Sequence, residues 1–296
     1  MVKNFSEIIN KAKKQNQKTV VIAAAQSVSA IEAAVHAKKE NIANSLLIGD
    51  MKAIENILKE KFPDFANAFE IEDTGTDLQK TCKKSIAAVR EKRADIILKG
   101  TVDTAILLRE VLDKDAGLAT GDVISDVLAF ETKDRLILMS DGGIVTYPNL
   151  KEKIAIIKNA VKIAHAFDNT LPKVALLAAV EVVNPKMECT VDAAIISKMN
   201  QRNQIKGCII DGPLAFDNAI DLEAAKIKGI ESDVAGNADI LIFPNIESAN
   251  IFAKTLTYYA NFKVAHVVVG AQAPILIPSR ADTAENKMLC IAMAAL

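Results

Sequence analysis

The chain has 296 residues and a formal net charge of −1, from 36 basic and 37 acidic residues. At about 150 residues per domain this length predicts two domains, and a hydrophobic fraction of 50% is enough for two cores. A nearly neutral chain has no overall field to hold nucleic acid or an anionic membrane. The composition therefore excludes both as general partners and allows only a local anion site.

Cysteine usage and the N-terminus predict a cytoplasmic protein. Residues 1–6 lack the apolar core and the cleavage site of a secretory signal, and the apolar run at 174–180 is too short to span a bilayer. The four cysteines are scattered, without a Cys-x-x-Cys pair or a nearby histidine cluster. This pattern favours neither a zinc site nor a disulfide framework, and it fits a reducing compartment.

Short apolar runs alternate with helical patterns along the chain. The predicted strands, in chain order, are residues 20–25, 45–48, 96–98, 136–139, 174–178, 208–210, 240–243 and 264–269, and predicted helices between them include 29–39, 151–167 and 221–228. This alternation predicts right-handed βαβ units, parallel sheets and an α/β fold. Ligands on such sheets bind at the carboxyl ends of the strands, so the residues just after each strand are the first candidates for a site.

Several common catalytic and nucleotide-binding patterns do not occur in the chain. There is no G-x-S-x-G, no G-x-G-x-x-G and no G-x-x-x-x-G-K-S/T. The three histidines, His36, His165 and His266, lie in helical patterns or in the last apolar strand. We interpret all three as structural or surface residues, which argues against a histidine-based triad.

The most distinctive segment follows the last strand, where Ser279 and Arg280 stand side by side before a helix start at Asp282 or Thr283. Arginine suits bidentate contact with phosphate, a hydroxyl can donate to an anion, and a helix N-terminus adds a partial positive charge. The alternative interpretation is a capped surface helix, in which Asp282 and Glu285 form a capping box.

Three further segments place polar residues just after predicted strands. Each could bind a ligand at a strand end, and each could equally be turn chemistry or a helix cap. The candidates are Thr101 and Arg109 after Lys99-Gly100, Asp211 before a Gly-Pro turn, and Asn245, Asn250 and Lys254 after the strand at 240–243.

The four segments together, in this order and spacing, resemble the phosphate acetyl/butyryltransferase family over nearly the whole chain. Two positions resemble the butyryltransferase branch: Pro213, where acetyltransferases usually carry glutamate, and Ala281, where they usually carry glycine. One position departs from the acetyl-specific pattern, because Asn286 stands where those relatives have an aspartate, the proposed base for the CoA thiol.

The resemblance implies that acyl-CoA and inorganic phosphate exchange to acyl phosphate and CoA by direct attack in a ternary complex, with butyryl as the acyl group. It implies a fold similar to the isocitrate/isopropylmalate dehydrogenase group, with two α/β domains flanking a cleft. Their expected boundaries are 1–135 plus 274–296 for the first domain and 136–273 for the second. CoA and phosphate would be substrates, with no further cofactor and no metal, and the chain would form a homo-oligomer.

The roles implied by the resemblance follow the charges of the reaction. Arginines would orient phosphate against the thioester carbonyl, and a hydroxyl or amide would donate to the carbonyl oxygen. Because Asn286 cannot act as a base, the role either moves to Asp282 or Glu285 or is not needed. We hypothesise that Asp282 takes the acid/base role, with Glu285 as its reciprocal cap. The expected catalytic residues are Ser279, Arg280 and Asp282, and the expected substrate-binding residues are Arg109, Thr101, Asp211, Asn245, Asn250 and Lys254.

Other functions remain as alternatives to butyryl transfer. One is a phosphate acetyltransferase. Another is an NAD-dependent decarboxylating dehydrogenase on the same fold, which needs a set of metal-binding aspartates and an arginine cluster that we cannot assemble from this sequence. A third is a non-catalytic sensor of acyl-CoA or phosphate that shares only the fold.

Overall fold

The computed structural model describes residues 1–279 and 282–296, so Arg280 and Ala281 lie outside the described residues. The chain separates into two compact units. The N-terminal unit comprises Phe5–Asp122 and Ala265–Leu296, and the central unit comprises Met1–Asn4 and Val123–Val264. The domain boundaries expected from the sequence, after residues 135 and 273, lie later in the chain than the boundaries between these two units. The domain boundaries stay a prediction.

Strands and helices alternate through both units. The strands are β1 (Lys18–Ala23), β2 (Ala43–Gly49), β3 (Glu70–Asp73), β4 (Ile96–Lys99), β5 (Ser125–Glu131), β6 (Leu136–Ser140), β7 (Lys173–Leu177), β8 (Ile209–Leu214), β9 (Ile240–Ile242), β10 (Val264–Val269) and β11 (Ile275–Leu276). The α-helices are α1 (Phe5–Ala12), α2 (Val28–Lys39), α3 (Met51–Lys61), α4 (Leu78–Arg90), α5 (Thr104–Val111), α6 (Leu150–Ala166), α7 (Glu188–Gln201), α8 (Phe216–Ile220), α9 (Leu222–Ile227), α10 (Ile246–Lys254) and α11 (Ala284–Ala294).

The sheet of the N-terminal unit has the strand order β3-β2-β1-β4-β11-β10. All of its pairs are parallel except β10 with β11, which is antiparallel. The last four residues of β1 and all of β4 are buried. Strands covered by helices on both faces are expected to be continuous apolar runs, which is the pattern that predicted β1 and β4.

The sheet of the central unit has the order β5-β6-β9-β7-β8. The pair β5 with β6 is antiparallel, and the remaining pairs are parallel. Its core gathers buried apolar residues from the strands and from the helices that follow them, for example Met139, Leu214, Leu241 and Ala249. The prediction of an α/β fold with mostly parallel strands is confirmed.

The prediction of a Gly-Pro turn after Asp211 is wrong. Strand β8 continues through Leu214, and Gly212-Pro213 lies inside it, at an irregularity in its pairing with β7. A Cβ on Gly212 would lie 2.8 Å from the carbonyl oxygen of Leu176, so the close approach of the two strands requires glycine there.

In the described part of the chain, no helix has both the length and the apolar character needed to cross a membrane.

Candidate active site

Three loops of the N-terminal unit meet at one edge of its sheet. Strand β4 pairs in parallel with β1 on one side and with β11 on the other. The carboxyl ends of parallel neighbours lie at the same edge, so the segments following these three strands are brought together. They are the loop before α2, the loop Gly100–Asp103 before α5, and the segment Pro278–Ser279.

The close contact between the first two loops depends on Gly100. Its N–H donates to the Ala23 carbonyl at 2.8 Å, and the Thr101 N–H donates to the Ala24 carbonyl at 2.9 Å. The Thr101 hydroxyl also donates to the Ala24 carbonyl, at 3.2 Å. A Cβ on Gly100 would lie 2.1 Å from that oxygen, so only glycine permits this approach. The close packing of the two loops therefore explains the glycine of the Lys99-Gly100 pattern, which also lies at the candidate site.

A cavity of about 310 Å³ lies where the three segments converge. This is the lower end of the range for small-molecule sites. The residues that carry polar groups to its wall are Ser27, Ser29, Lys99, Thr101, Ser279 and Lys287. The structure thus brings together two of the predicted site residues, Thr101 and Ser279.

The charges around the cavity favour an anion. Two lysines reach it from the protein interior, Lys99 at 5% exposure and Lys287 at 4%. Helix α2 begins at the same wall, with Ser27 as its N-cap accepting from the Ala30 N–H at 3.3 Å. The first N–H groups of a helix lack intrahelical acceptors and carry partial positive charge, so they add to the field of the two ammonium groups.

The start of helix α11 corrects one prediction. Thr283 is the N-cap, and its hydroxyl oxygen accepts from the Asn286 N–H at 3.1 Å. The expected capping box of Asp282 and Glu285 is therefore wrong, because the third helical position is Asn286 and Glu285 is exposed. Asp282 instead accepts from the Ser279 N–H at 2.6 Å, so its carboxylate fixes the backbone of the predicted catalytic serine.

His266 of β10 is a site neighbour that sequence reasoning missed. Its Nε2 lies 4.0 Å from Oδ2 of Asp282, and both side chains are mostly buried. The sequence contains a signal for it, because a lone histidine interrupts an otherwise apolar strand. In the structure, His266 is the one residue of β10 that is not fully buried. Its place in an apolar strand predicted a structural or surface residue.

Of the two arginines predicted to bind phosphate, the structure describes only Arg109. Arg280 lies outside the described residues, directly after Ser279. Arg109 is exposed in the last turn of α5 and, within the described residues, does not line the cavity.

The remaining predicted residues lie in the central unit, after β8 and β9. In β8, Asp211 accepts from the N–H of Gly212 at 2.8 Å. Asn245 is the N-cap of α10, accepting from the Ser248 N–H at 3.0 Å, which agrees with the alternative interpretation as a cap. Lys254, at the end of α10, is exposed, and its ammonium lies 5.5 Å from the centre of the Tyr258 ring.

A second residue that the sequence analysis missed is Asp141, at the carboxyl end of β6. Its carboxylate is buried and accepts from three successive N–H groups, those of Gly143 at 2.9 Å, Ile144 at 3.1 Å and Val145 at 2.9 Å. Burial, reinforced by Asp126, raises the pKa of Asp141 to about 6. The signal in the sequence was an aspartate followed by two glycines after a predicted strand.

A predicted binding residue, Asn250, contacts the turn that Asp141 stabilises. The Asn250 amide donates to the Gly142 carbonyl at 2.8 Å. Strands β6 and β9 are parallel neighbours, so this turn and the start of α10 lie at the same sheet edge.

Among the residues that the structure describes, no group of three or more histidine, cysteine, aspartate or glutamate side chains could hold a metal ion.

Comparison with known proteins agrees with the four ordered segments. A family described as phosphate acetyl/butaryl transferase matches residues 65–295. A phosphate butyryltransferase of Clostridium acetobutylicum is 48% identical, covering 100% of this chain and 98% of that protein. A phosphate acetyltransferase of Thermotoga maritima is 41% identical, covering 94% and 95%. A solved branched-chain phosphotransacylase of Enterococcus faecalis has a TM-score of 0.82 at 28% identity, covering 94% and 98%. The chain therefore belongs to the phosphate acetyl/butyryltransferase family.

Proposed function

We propose that the chain transfers a short-chain acyl group between CoA and inorganic phosphate, with butyryl as the preferred group: butanoyl-CoA + phosphate = butanoyl phosphate + CoA. The observation that carries the proposal is the cavity lined by two buried lysines, the start of α2 and Ser279. Such a site suits a phosphate dianion held beside a group that can donate to a carbonyl oxygen.

Phosphate attacks the thioester carbonyl directly in a ternary complex. Lys99, the N–H groups of α2 and Arg280 hold and orient the phosphate, which places its oxygen against the carbonyl carbon. Ser279 donates to the carbonyl oxygen as that atom gains charge. Asp282 takes the acid/base role, and its hydrogen bond from the Ser279 N–H supports this because it fixes the carboxylate beside the serine.

The other predicted binding residues belong to this proposal as contacts to the two substrates. They are Thr101, Arg109, Asp211, Asn245, Asn250 and Lys254. Arg109 would be a second contact to phosphate, and Asn250 an alternative donor to the carbonyl oxygen. The caps and turns in which several of them take part orient α10 and the turn after β6. The proposal needs only CoA and phosphate as substrates, without a metal or resident cofactor, because buried lysines supply positive charge at the cavity. A domain cleft similar to that of the dehydrogenase group, a homo-oligomeric state and a cytoplasmic location stay part of the proposal.

The test is phosphate-dependent release of CoA from butyryl-CoA by the purified protein, followed with a thiol reagent in the presence of a chelator. We expect turnover that requires phosphate and is unchanged by the chelator. If butyryl-, propionyl- and acetyl-CoA are all inert, the acyltransferase proposal is wrong. Loss of activity on chelation would contradict the metal-free reaction.

The same assay tests the acyl chain length. Each methylene buried in an apolar pocket contributes roughly 0.8 kcal/mol, so the two additional methylenes of butyryl favour it over acetyl by about tenfold in kcat/KM. The sequence basis is Pro213, where acetyltransferases usually carry glutamate. A preference for acetyl-CoA would select the acetyltransferase alternative and leave the family assignment in place.

A further inference from the structure

Lys287 is placed where a lysine is electrostatically unfavourable. It lies in the first turn of α11, close to the positive end of the helix dipole, and only 4% of it is exposed. Lysine is rarely so buried, because its charge must leave water. A position that opposes both the helix dipole and solvation requires an explanation other than stability.

Lys287 lines the same cavity as Ser279 and Lys99. Within the described contacts its ammonium donates one hydrogen bond, to the carbonyl oxygen of Asp282. An ammonium group has three N–H donors, so it can also donate to a ligand in the cavity.

The neighbouring position, Asn286, is where acetyl-type relatives carry the proposed base for the thiol. Successive residues of a helix point about 100° apart, so Asn286 and Lys287 face different directions. Of the two, only Lys287 lines the cavity described here. The first turn of α11 therefore contributes a lysine, and not Asn286, to the wall of this cavity.

We infer that Lys287 is the acid of the reaction: its ammonium gives a proton to the CoA sulfur as the thioester bond breaks, and its neutral amine removes that proton in the reverse direction. This role rests on the proposed acyl transfer and adds to it the group that handles the leaving thiol.

The step balances in atoms and charge. An oxygen of the phosphate forms a bond to the carbonyl carbon, and the carbon–sulfur bond breaks with its electron pair going to sulfur. Sulfur takes the proton of Lys287, and the phosphate loses its own proton to Asp282. Transfer of that proton from Asp282 to the amine of Lys287 restores both groups, so the net change moves one proton from phosphate to CoA.

The surroundings of Lys287 suit a group that exchanges a proton. Burial lowers its pKa, while Asp282, Cys290 and Glu32 oppose that effect and keep the ammonium form accessible. Lys99, which lines the same cavity, carries a like charge. His266 is a further titratable group near this corner of the site, with its Nε2 4.0 Å from Oδ2 of Asp282.

The experiment compares Lys287→Met, Lys287→Arg and Lys287→Ala with the wild type. Methionine keeps most of the side-chain volume, and arginine keeps the charge but does not release its proton. We expect Lys287→Met and Lys287→Arg to lower kcat for butyryl-CoA by a hundredfold or more, because acid–base catalysis contributes at least that factor. The melting temperature of Lys287→Met should not fall, since the buried charge is removed. Lys39→Met, at an exposed position of α2, is the matched control and should keep wild-type turnover.

Chemical rescue separates proton transfer from packing. Ethylamine added to Lys287→Ala should restore turnover, with the size of the rescue depending on pH as the amine titrates. Turnover of Lys287→Met within threefold of wild type, recovery in Lys287→Arg, or no rescue by ethylamine would each overturn the inference. A wild type inactive with every acyl-CoA would instead defeat the proposed function, so the two failures are distinguishable.

Discussion

The substitution Asp282→Asn tests whether this carboxylate has a chemical role. In the structure the carboxylate accepts from the Ser279 N–H at 2.6 Å and does not cap α11, because Thr283 does. Asparagine keeps an oxygen acceptor for the Ser279 N–H but removes the charge and the capacity to exchange a proton. The variant therefore changes chemistry more than it changes structure.

The expected magnitudes separate the two effects. Replacing a charge-assisted hydrogen bond with a neutral one costs about 1 kcal/mol of folding free energy. Unfolding free energies are about 5–15 kcal/mol, so the variant remains folded. Loss of an acid–base group lowers kcat by about 10²–10⁴, which corresponds to about 3–5 kcal/mol in the transition state. A kinetic loss of that size cannot come from a stability change of about 1 kcal/mol.

The assay is steady-state CoA release together with thermal unfolding, and the matched control is Thr283→Ala. Loss of an N-cap also costs about 1 kcal/mol, at the same helix end, but it leaves the carboxylate in place. We expect Thr283→Ala and Asp282→Asn to lower the melting temperature similarly, and only Asp282→Asn to lose turnover. Glu285→Gln, at an exposed position, should change neither. Equal turnover in Asp282→Asn and Thr283→Ala would refute the acid/base role of Asp282.

Three further substitutions test other parts of the site. Gly100→Ala places a Cβ 2.1 Å from the Ala24 carbonyl, so it should lower stability by about 1–3 kcal/mol and raise the KM for phosphate, while Gly142→Ala, whose nearest atom is at 3.6 Å, should be tolerated. Because the pKa of Asp141 is raised to about 6, its uncharged form stabilises the fold below about pH 4, and this contribution is lost as the pH rises through 6. The difference in unfolding free energy between wild type and Asp141→Asn should therefore fall by about 2 kcal/mol from pH 4 to pH 7, and a constant difference would contradict the shift. Arg280→Lys should raise the KM for phosphate or lower kcat tenfold or more, with little change for acyl-CoA, because lysine lacks the bidentate fork. Near-normal kinetics of Arg280→Ala would make the residue a helix-end charge only.

Most strands could be predicted because parallel strands buried on both faces are continuous apolar runs. The strands that were missed do not have this pattern. Strand β3 (Glu70–Asp73) pairs only with β2 and has exposed acidic ends. Strand β11 has two residues, too few for a periodic signal. Strand β5 begins with Ser125 and Asp126, two polar residues that are nevertheless buried.

Site residues could be predicted where they directly follow a buried strand. They could not be predicted where tertiary packing determines which way a side chain faces. Thr101 and Ser279 were found because loops at the carboxyl ends of parallel strands meet at one edge. Both Asp282 and Thr283 are good capping residues, so the sequence could not decide between them. Lys287 was missed because a lysine in a helical pattern is normally exposed, and only the burial of α11 shows that this one faces a cavity.

The burial of Lys287 has opposite consequences for stability and for the proposed reaction. In water a lysine has a pKa of about 10.4 and a thiol about 8.5, so proton transfer from ammonium to thiolate is uphill by about 2.6 kcal/mol. Burial lowers the pKa of Lys287 and therefore reduces this unfavourable free-energy difference. The same desolvation destabilises the folded protein, since a charged group that is buried lowers the free energy of unfolding. A phosphate dianion in the cavity would place further negative charge beside Lys99 and Lys287, so substrate binding would offset part of this desolvation cost.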